Sequence, residues 1–286
     1  MEIKNHQLNT IGSSIFYHHT LTTAQNSEQT IGPEAHRQHE LLYLICGNLT
    51  YQIEGRAYKV HPGDMILIGP NDIHTLQIGR DVDYERIVLH FNLELLSKMV
   101  QSMVTECPAF QWHIDSPVIP CAICKKYQLH ELLTCMVAYE ESQWYRNPYT
   151  IAKTLELVIQ LDKIFADRKL TMTQPTTVDP LIQRMVDHID ANISQPISLD
   201  NMAAELFVSK STLCHRFRAY MNVTINRYIT VKKIYYAAEL IQRGMSAAEA
   251  SSAVGYRNYT TFFYNFKQII GTAPGAGKRQ STAYRN

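Results

Sequence analysis

The chain has 286 residues, 45% of them hydrophobic, and 27 Lys and Arg against 26 Asp and Glu give a formal net charge of +1. That length predicts two domains with enough apolar material for buried cores; with no apolar run of bilayer length and no apolar leader after Met1, a soluble, cytoplasmic protein without a membrane partner is expected. The six cysteines, at 46, 107, 121, 124, 135 and 214, are too scattered for a disulfide framework, and Cys121-Ala-Ile-Cys124 lacks the second pair that a zinc site would need.

Residues 10–91 read as short strands. Leu41–Cys46 is an apolar run closed by Gly47, and Leu49–Ile53 and Ala57–Val60 flank the hairpin turn Glu54-Gly55-Arg56. Turns at His61–Asp64 and Gly69–Asp72 bracket Met65–Ile68, and Tyr84–Phe91 is a further strand. Strands of this length with turn chemistry every ten residues or so predict a small antiparallel barrel or sandwich.

Within this segment His36, His39-Glu40, Gly47, Pro62-Gly63-Asp64 and Pro70-Asn71-Asp72-Ile73-His74 form a series. It resembles a cupin barrel, and in particular the sensory cupin domain of AraC-type transcription regulators, over about residues 30–91. Metal-binding cupins hold their ion through a His-x-His pair, a Glu a few residues on and a later His. Here His36 and His39 are three apart, so on one strand they would point to opposite faces, and Pro62-Gly63 runs into Asp64. No metal and no other cofactor is therefore expected. The candidate effector-binding residues are His36, His39, Glu40, Tyr43 and His74. Such a mouth offers donors and acceptors for hydroxyls and aromatic faces for C–H surface, which favours a carbohydrate. The plainer alternative is a polar rim satisfied by backbone and water.

The pattern turns helical after residue 91. Leu93 to Val104 repeats apolar residues at helical spacing, and Pro108, Pro117 and Pro120 break the next stretch into loop. Lys125 to Tyr145 predicts one long helix carrying Leu129, Leu132, Leu133, Met136 and Val137. Pro148 is expected in the first turn of the next helix, whose stripe of Ile151, Leu155, Val158, Leu161, Ile164 and Phe165 runs to Asp167. That stripe suits intramolecular core, and the resemblance implies that helices here also pair two subunits into a homodimer. Arg168 to Val178 is threonine-rich, contains a Pro and has no periodicity, so it reads as a linker. The expected division is a sensing and dimerising domain at 1–167, a linker at 168–178 and a second domain at 179–286.

Charge divides at the same place. Residues 1–179 carry 14 Lys and Arg and 20 Asp and Glu, net −6, whereas residues 180–286 carry 13 and 6, net +7. A basic half that meets a polyanion is expected. This half contains an approximate 49-residue repeat, Phe217 to Phe266. Each copy has a capping Ser, a short Ala-rich helix, a turn and a second helix: Ser198 and Ser209 in the first copy, the box Ser246-Ala-Ala-Glu249 in the second. Asn222 marks a helix end, and between the copies a helix from Thr224 to Arg243 stops at Gly244. Twenty residues make ~30 Å of helix, close to the ~34 Å turn of B-DNA. Two helix-turn-helix units on one rigid spacer would reach successive major grooves.

The residues Ala204, Ser209, Leu213 and Phe217, then Val254-Gly255-Tyr256, Phe262, Phe266-Lys267, Gly271 and Pro274, resemble the DNA-binding domain of AraC/XylS regulators over about residues 180–280. The departures are Asn222 for the usual Gly, Ile225 for a Pro, and Gly275-Ala-Gly-Lys-Arg279 where an aromatic-Arg pair usually follows. By motif position the resemblance implies base reading by Ser211, Cys214 and His215, with Thr212 on the same helix, and by Tyr259, Thr260 and Tyr264. It puts phosphate contacts at Arg218, Arg257 and Lys267. Both helices are poor in Arg, Asn and Gln, so phosphates and DNA shape are expected to supply much of the affinity. The expected molecule is α+β: a cupin-like barrel with following helices, then an all-α tandem helix-turn-helix. It would be an effector-responsive regulator, an activator with double-stranded DNA and RNA polymerase as partners. The alternatives are a metal-dependent cupin enzyme fused to a DNA-binding domain and a regulator sensing redox through Cys121 and Cys124.

Overall fold

A computed structural model describes residues 5–10, 15–103, 117–137, 143–167 and 175–275. The chain divides into two compact units, 1–177 and 178–286.

In the first unit, β1 (Asn5–Thr10), β2 (Ile15–Thr22), β3 (Gln29–Glu34), β4 (His39–Cys46), β5 (Leu49–Ile53), β6 (Arg56–Val60), β7 (Met65–Ile68), β8 (His74–Ile78), β9 (Tyr84–Phe91) and β10 (Val118–Ile119) form two antiparallel sheets. One runs β1-β2-β9-β4-β7-β10 and the other contains β6-β5-β8-β3. Successive side chains on a strand point to opposite faces, and both faces of the first sheet are used. Leu42, Leu44, Ile66, Tyr84 and Val88 point inward, onto Leu49, Tyr51, Ile53, Leu76 and Ile78 of the second sheet. Their neighbours Leu41, Met65, Leu67, Ile87 and Leu89 point outward, into a second core with Leu129, Leu133, Leu157, Val158 and Leu161 of the helices. Strand β4 is therefore apolar nearly throughout, as a strand buried on both faces must be.

Those helices are α1 (Leu93–Met103), α2 (Cys121–Lys126), α3 (Leu129–Thr134) and α4 (Gln143–Ala166), with a 3₁₀ turn at Cys135–Val137. The expected single helix from Lys125 to Tyr145 is absent. Gln128 takes a left-handed φ of 54°, which ends one helix and lets the next start in a new direction. Pro148 lies inside α4 rather than in its first turn. The loop around Pro108 and most of the expected linker (168–174) lie outside the described residues. The described end of that linker is tied down, because Thr176 donates its N–H to the Ala57 carbonyl at 2.7 Å.

The second unit is helical: α5 (Pro180–Ala191), α6 (Leu199–Glu205), α7 (Lys210–Met221), α8 (Ile225–Gln242), α9 (Ala247–Ala253) and α10 (Tyr259–Ile270). Caps set its boundaries. Ser198, Ser209 and Thr224 each accept from an N–H in the first turn, and Ser246 and Glu249 close a reciprocal capping box. Asn222, left-handed at φ 54°, ends α7. The spacer α8 has 18 residues, about 27 Å at 1.5 Å each. Two small cores flank it. Phe217 packs edge-on to Tyr228 at 5.2 Å, and Phe262 and Phe266 pack with Ile234, Ala237, Ala238 and Val254.

Candidate functional site

The second unit presents two helix faces. On α7, Leu213, Phe217 and Met221 are buried while Ser211, Thr212, His215 and Arg218 are exposed. At 100° per residue Ser211, His215 and Arg218 form one stripe with Thr212 at its margin. Cys214 is half-buried and sits toward Met221, at the edge of that face. On α10, Phe262 and Phe266 are buried, and Thr260, Tyr264 and Lys267 share the opposite side. Tyr259 departs from them. Its ring lies 5.8 Å from Phe262 and 6.5 Å from Phe263, half covering the core end of the helix. Thr261 and Gln268, which the motif does not mark, are exposed beside Tyr264. Asn258 caps α10, its Oδ1 accepting from Thr260 and Thr261 N–H.

Among the described cations, Lys210, Arg216, Lys232 and Arg243 are paired with Asp200, Asp179, Asp190 and Glu239, and Lys233 is buried on two backbone carbonyls. Arg218, Arg257 and Lys267, together with Arg184 and Arg227, are exposed and form no ion pair among the described residues. The three positions assigned to phosphates are thus unspent charge, the kind a polyanion can recruit at little desolvation cost.

The first unit carries a polar cluster on its inward face, centred on the buried Glu40. Its Oε2 lies 2.9 Å from His36 Nε2, 3.0 Å from His90 Nε2 and 3.9 Å from His74 Nε2, and Tyr51 donates to its Oε1 at 3.4 Å. A buried carboxylate persists only with such partners. Burial pushes Glu40 upward, but the hydrogen bonds from His36 and His90 and the charge of His74 outweigh it and hold the carboxyl well below its usual range. For His36 burial acts downward, and the bond to Glu40 prevails to raise it. Two rings are set by backbone: Nδ1 of His36 meets the Gln38 carbonyl at 2.7 Å, and Nδ1 of His74 meets that of Asp72 at 3.0 Å. Both therefore turn Nε2 to Glu40.

Arg86 lines the same face further along β9, and His18 lines it from the next strand, β2. Burial, then the charges of Arg86 and His90, lower His18 to about 4, so its ring is neutral at pH 7. Its Nε2 is buried with no hydrogen-bond partner among the described residues, which is rare for a polar atom unless something else meets it.

His36, Glu40 and His74 are thus brought together. His39 and Tyr43 are not. Both sit at outward positions of β4, His39 stacked on Phe91 at 5.4 Å and Tyr43 4.9 Å from the His130 ring. Burial lowers His39 to about 4. The odd-numbered residues of β4 face the helices, so the assignment of these two to the barrel mouth is corrected by strand parity. His18, Tyr51, Arg86 and His90 are additional members that the sequence alone does not point to. The pairing of His90 with Glu40 and of His18 with Val88 puts His18, Arg86 and His90 on the face of Glu40, and Tyr51 reaches it from the opposite sheet. Near Cys121 the backbone is tight, and a Cβ on Gly63 would lie 2.5 Å from its Sγ. Cys124 is buried, donates to the Ile119 carbonyl at 3.4 Å, and is pushed up to about 12 by burial. A thiol in that state is a poor nucleophile and a poor redox sensor.

Residues 16–116 match the family model described as an AraC-like ligand binding domain, and residues 202–280 match one described as a helix-turn-helix domain. Relatives include the HTH-type transcriptional activator RhaR of Shigella dysenteriae serotype 1 and of Escherichia coli K12, each 22% identical over 243 residues and covering 82% of both chains. Among solved structures, ToxT from Vibrio cholerae O395 aligns over 91% of this chain and 95% of its own, at TM-score 0.38 and 13% identity. At that score the structural likeness carries no weight.

Proposed function

Because the chain belongs to the AraC-type family of DNA-binding regulators with an N-terminal ligand-binding domain, we propose that it activates transcription in response to a small polyhydroxylated effector held on the inward face of the barrel. The observation that carries this reading is the cluster of His18, His36, Glu40, His74 and His90, with the buried His18 Nε2 lacking a partner among the described residues. Hydroxyl groups both donate and accept, which suits a lining of imidazole nitrogens beside a carboxylate. The relatives support the activator part of this reading, as RhaR is a transcriptional activator by name and aligns over 82% of this chain and of its own. The chain is a regulator rather than an enzyme.

In this reading α7 and α10 enter successive major grooves, Ser211, Thr212, His215, Thr260 and Tyr264 meet base edges, and Cys214 and Tyr259 contribute at the margins. Arg218, Arg257 and Lys267 hold phosphates. The protein works in the cytoplasm as a homodimer and contacts RNA polymerase. A thermal-shift screen of sugars and polyols tests the effector, since a ligand of the native state raises its stability. A sugar that raises the melting temperature should also change operator affinity or promoter output. If every candidate leaves stability, DNA affinity and transcription unaltered, the sugar assignment is wrong.

A further inference from the structure

The cluster around Glu40 has the donor set of a metal site, although no His-x-His pair builds it. His36 stands in the loop before β4 and meets Glu40, His39 opens β4 and stacks on Phe91, and the second histidine on the carboxylate comes from β9. The ligand atoms of His36, Glu40 and His90 all lie within 4.8 Å of one another. His74 Nε2 stands 3.9 Å from the same carboxylate oxygen. Two features separate this group from a chance gathering of histidines. First, His36 and His74 each bond a backbone carbonyl through Nδ1, at 2.7 and 3.0 Å, which leaves both Nε2 lone pairs facing Glu40. Metal-ligating histidines are held in this way by the ring nitrogen that does not bind the ion. Second, a neutral Nε2 lone pair facing a carboxylate 2.9 Å away is repulsive unless a cation lies between them. Either a proton or a metal ion supplies that charge. Metal–nitrogen and metal–oxygen bonds of about 2.0–2.2 Å need neighbouring ligand atoms roughly 3.4 Å apart, so the Glu40 contacts at 2.9 and 3.0 Å must open slightly and the histidine nitrogens, which lie within 4.8 Å of one another, must draw together around the ion.

We infer that His36, Glu40 and His90, with His74 as the fourth ligand, bind one first-row divalent metal ion on the inward face of the barrel. Imidazole with one carboxylate selects zinc, cobalt, nickel or ferrous iron over calcium or magnesium. This rests on the proposal that the face is the sensor's ligand site, and makes the ion part of what the sensor binds. Hydroxyls of an effector would complete its coordination.

The full-length protein, stripped with chelator and titrated with cobalt(II), tests this. Visible d–d absorption should rise to saturation at one ion per chain and be lost in His90→Gln and in Glu40→Gln. It should survive in His61→Gln, whose exposed ring lies outside the cluster. X-ray absorption of the zinc-loaded wild type keeps the test valid if those variants fail to fold. It should show a shell of nitrogen and oxygen only, with at least two imidazoles. Absent saturation, retention of the band in a folded His90→Gln protein, or sulfur in the shell each overturns the inference, the last by moving the ion to the cysteines. None of these readouts uses DNA or sugar, so failure of the sugar assignment is seen separately.

Discussion

At the residue scale, Asp179 and Gly255 show how single positions carry the second unit. Asp179 caps α5, its Oδ1 accepting from Leu181 at 2.9 Å and Ile182 at 3.3 Å, while Oδ2 pairs with Arg216 of α7. Burial works to raise its pKa, but the bonds from Arg216, Ile182 and Leu181 favour the anion and leave it lowered. A folded value below the unfolded one, about 3.9, means that the stabilisation is complete above pH 4 and fades as pH falls through the folded value. Asp179→Ala should therefore cost about 0.5–2 kcal/mol at pH 7, Asp179→Asn less, and the gap to wild type should narrow below pH 4 in urea melts; a gap constant from pH 7 to 2 would contradict the role of the charge. Gly255 has φ 76°, and a Cβ there would lie 3.2 Å from both Lys233 Nζ and the Gln195 carbonyl carbon. Lys233 cannot retreat, because its Nζ donates to the Gln195 and Val254 carbonyls at 2.6 Å. Gly255→Ala should cost about 1–3 kcal/mol in urea unfolding, and more than Gly244→Ala, where φ is 113° but nothing lies within 4 Å. Equal costs would show that backbone strain alone operates. The contact with Lys233 is hidden from the sequence because that residue stands 22 positions away.

At the element scale, what the sequence revealed was what local chemistry encodes. Ser198, Ser209 and the Ser246–Glu249 box mark helix starts in the sequence, and each caps a helix in the structure. The break at Gln128 was illegible because nothing in a glutamine announces a left-handed φ. The barrel strands were legible, yet which residues share their inward face was not until the pairing of β4 with β9 was known, since parity is a long-range property. The two recognition helices make separable predictions. Arg218→Ala and Lys267→Ala should each weaken binding to all sequences and flatten the slope of log K against log salt by about 0.9. Thr260→Ala and Tyr264→Ala should leave that slope alone and relax preference at particular base pairs. Tyr259→Ala should act mainly on stability, given its packing on Phe262 and Phe263. Salt titrations by fluorescence anisotropy on specific and random duplexes separate these classes. A change of slope for Tyr264→Ala but none for Lys267→Ala would reverse the assignments.

At the scale of the whole molecule, charge and burial divide the work. The first half is net −6 and encloses its histidine cluster, while the second is net +7 and holds its unpaired cations exposed. An acidic sensor is repelled by the polyanion that the basic unit seeks, so the two ligands do not compete for one surface. If the effector controls transcription through DNA affinity, thermodynamic linkage fixes what must be observed. The factor by which saturating effector changes the operator Kd must equal the factor by which saturating operator changes the effector Kd, and such couplings typically run about 5- to 150-fold. Effector at 100 times its Kd should also add about 2.7 kcal/mol to the native state. Calorimetric titration of effector with and without operator, beside anisotropy titration of operator with and without effector, measures both factors. Matching factors well away from one place the switch in DNA binding. A factor of one in both, together with an effector-dependent promoter, would reject an affinity switch and move control to a step after DNA binding.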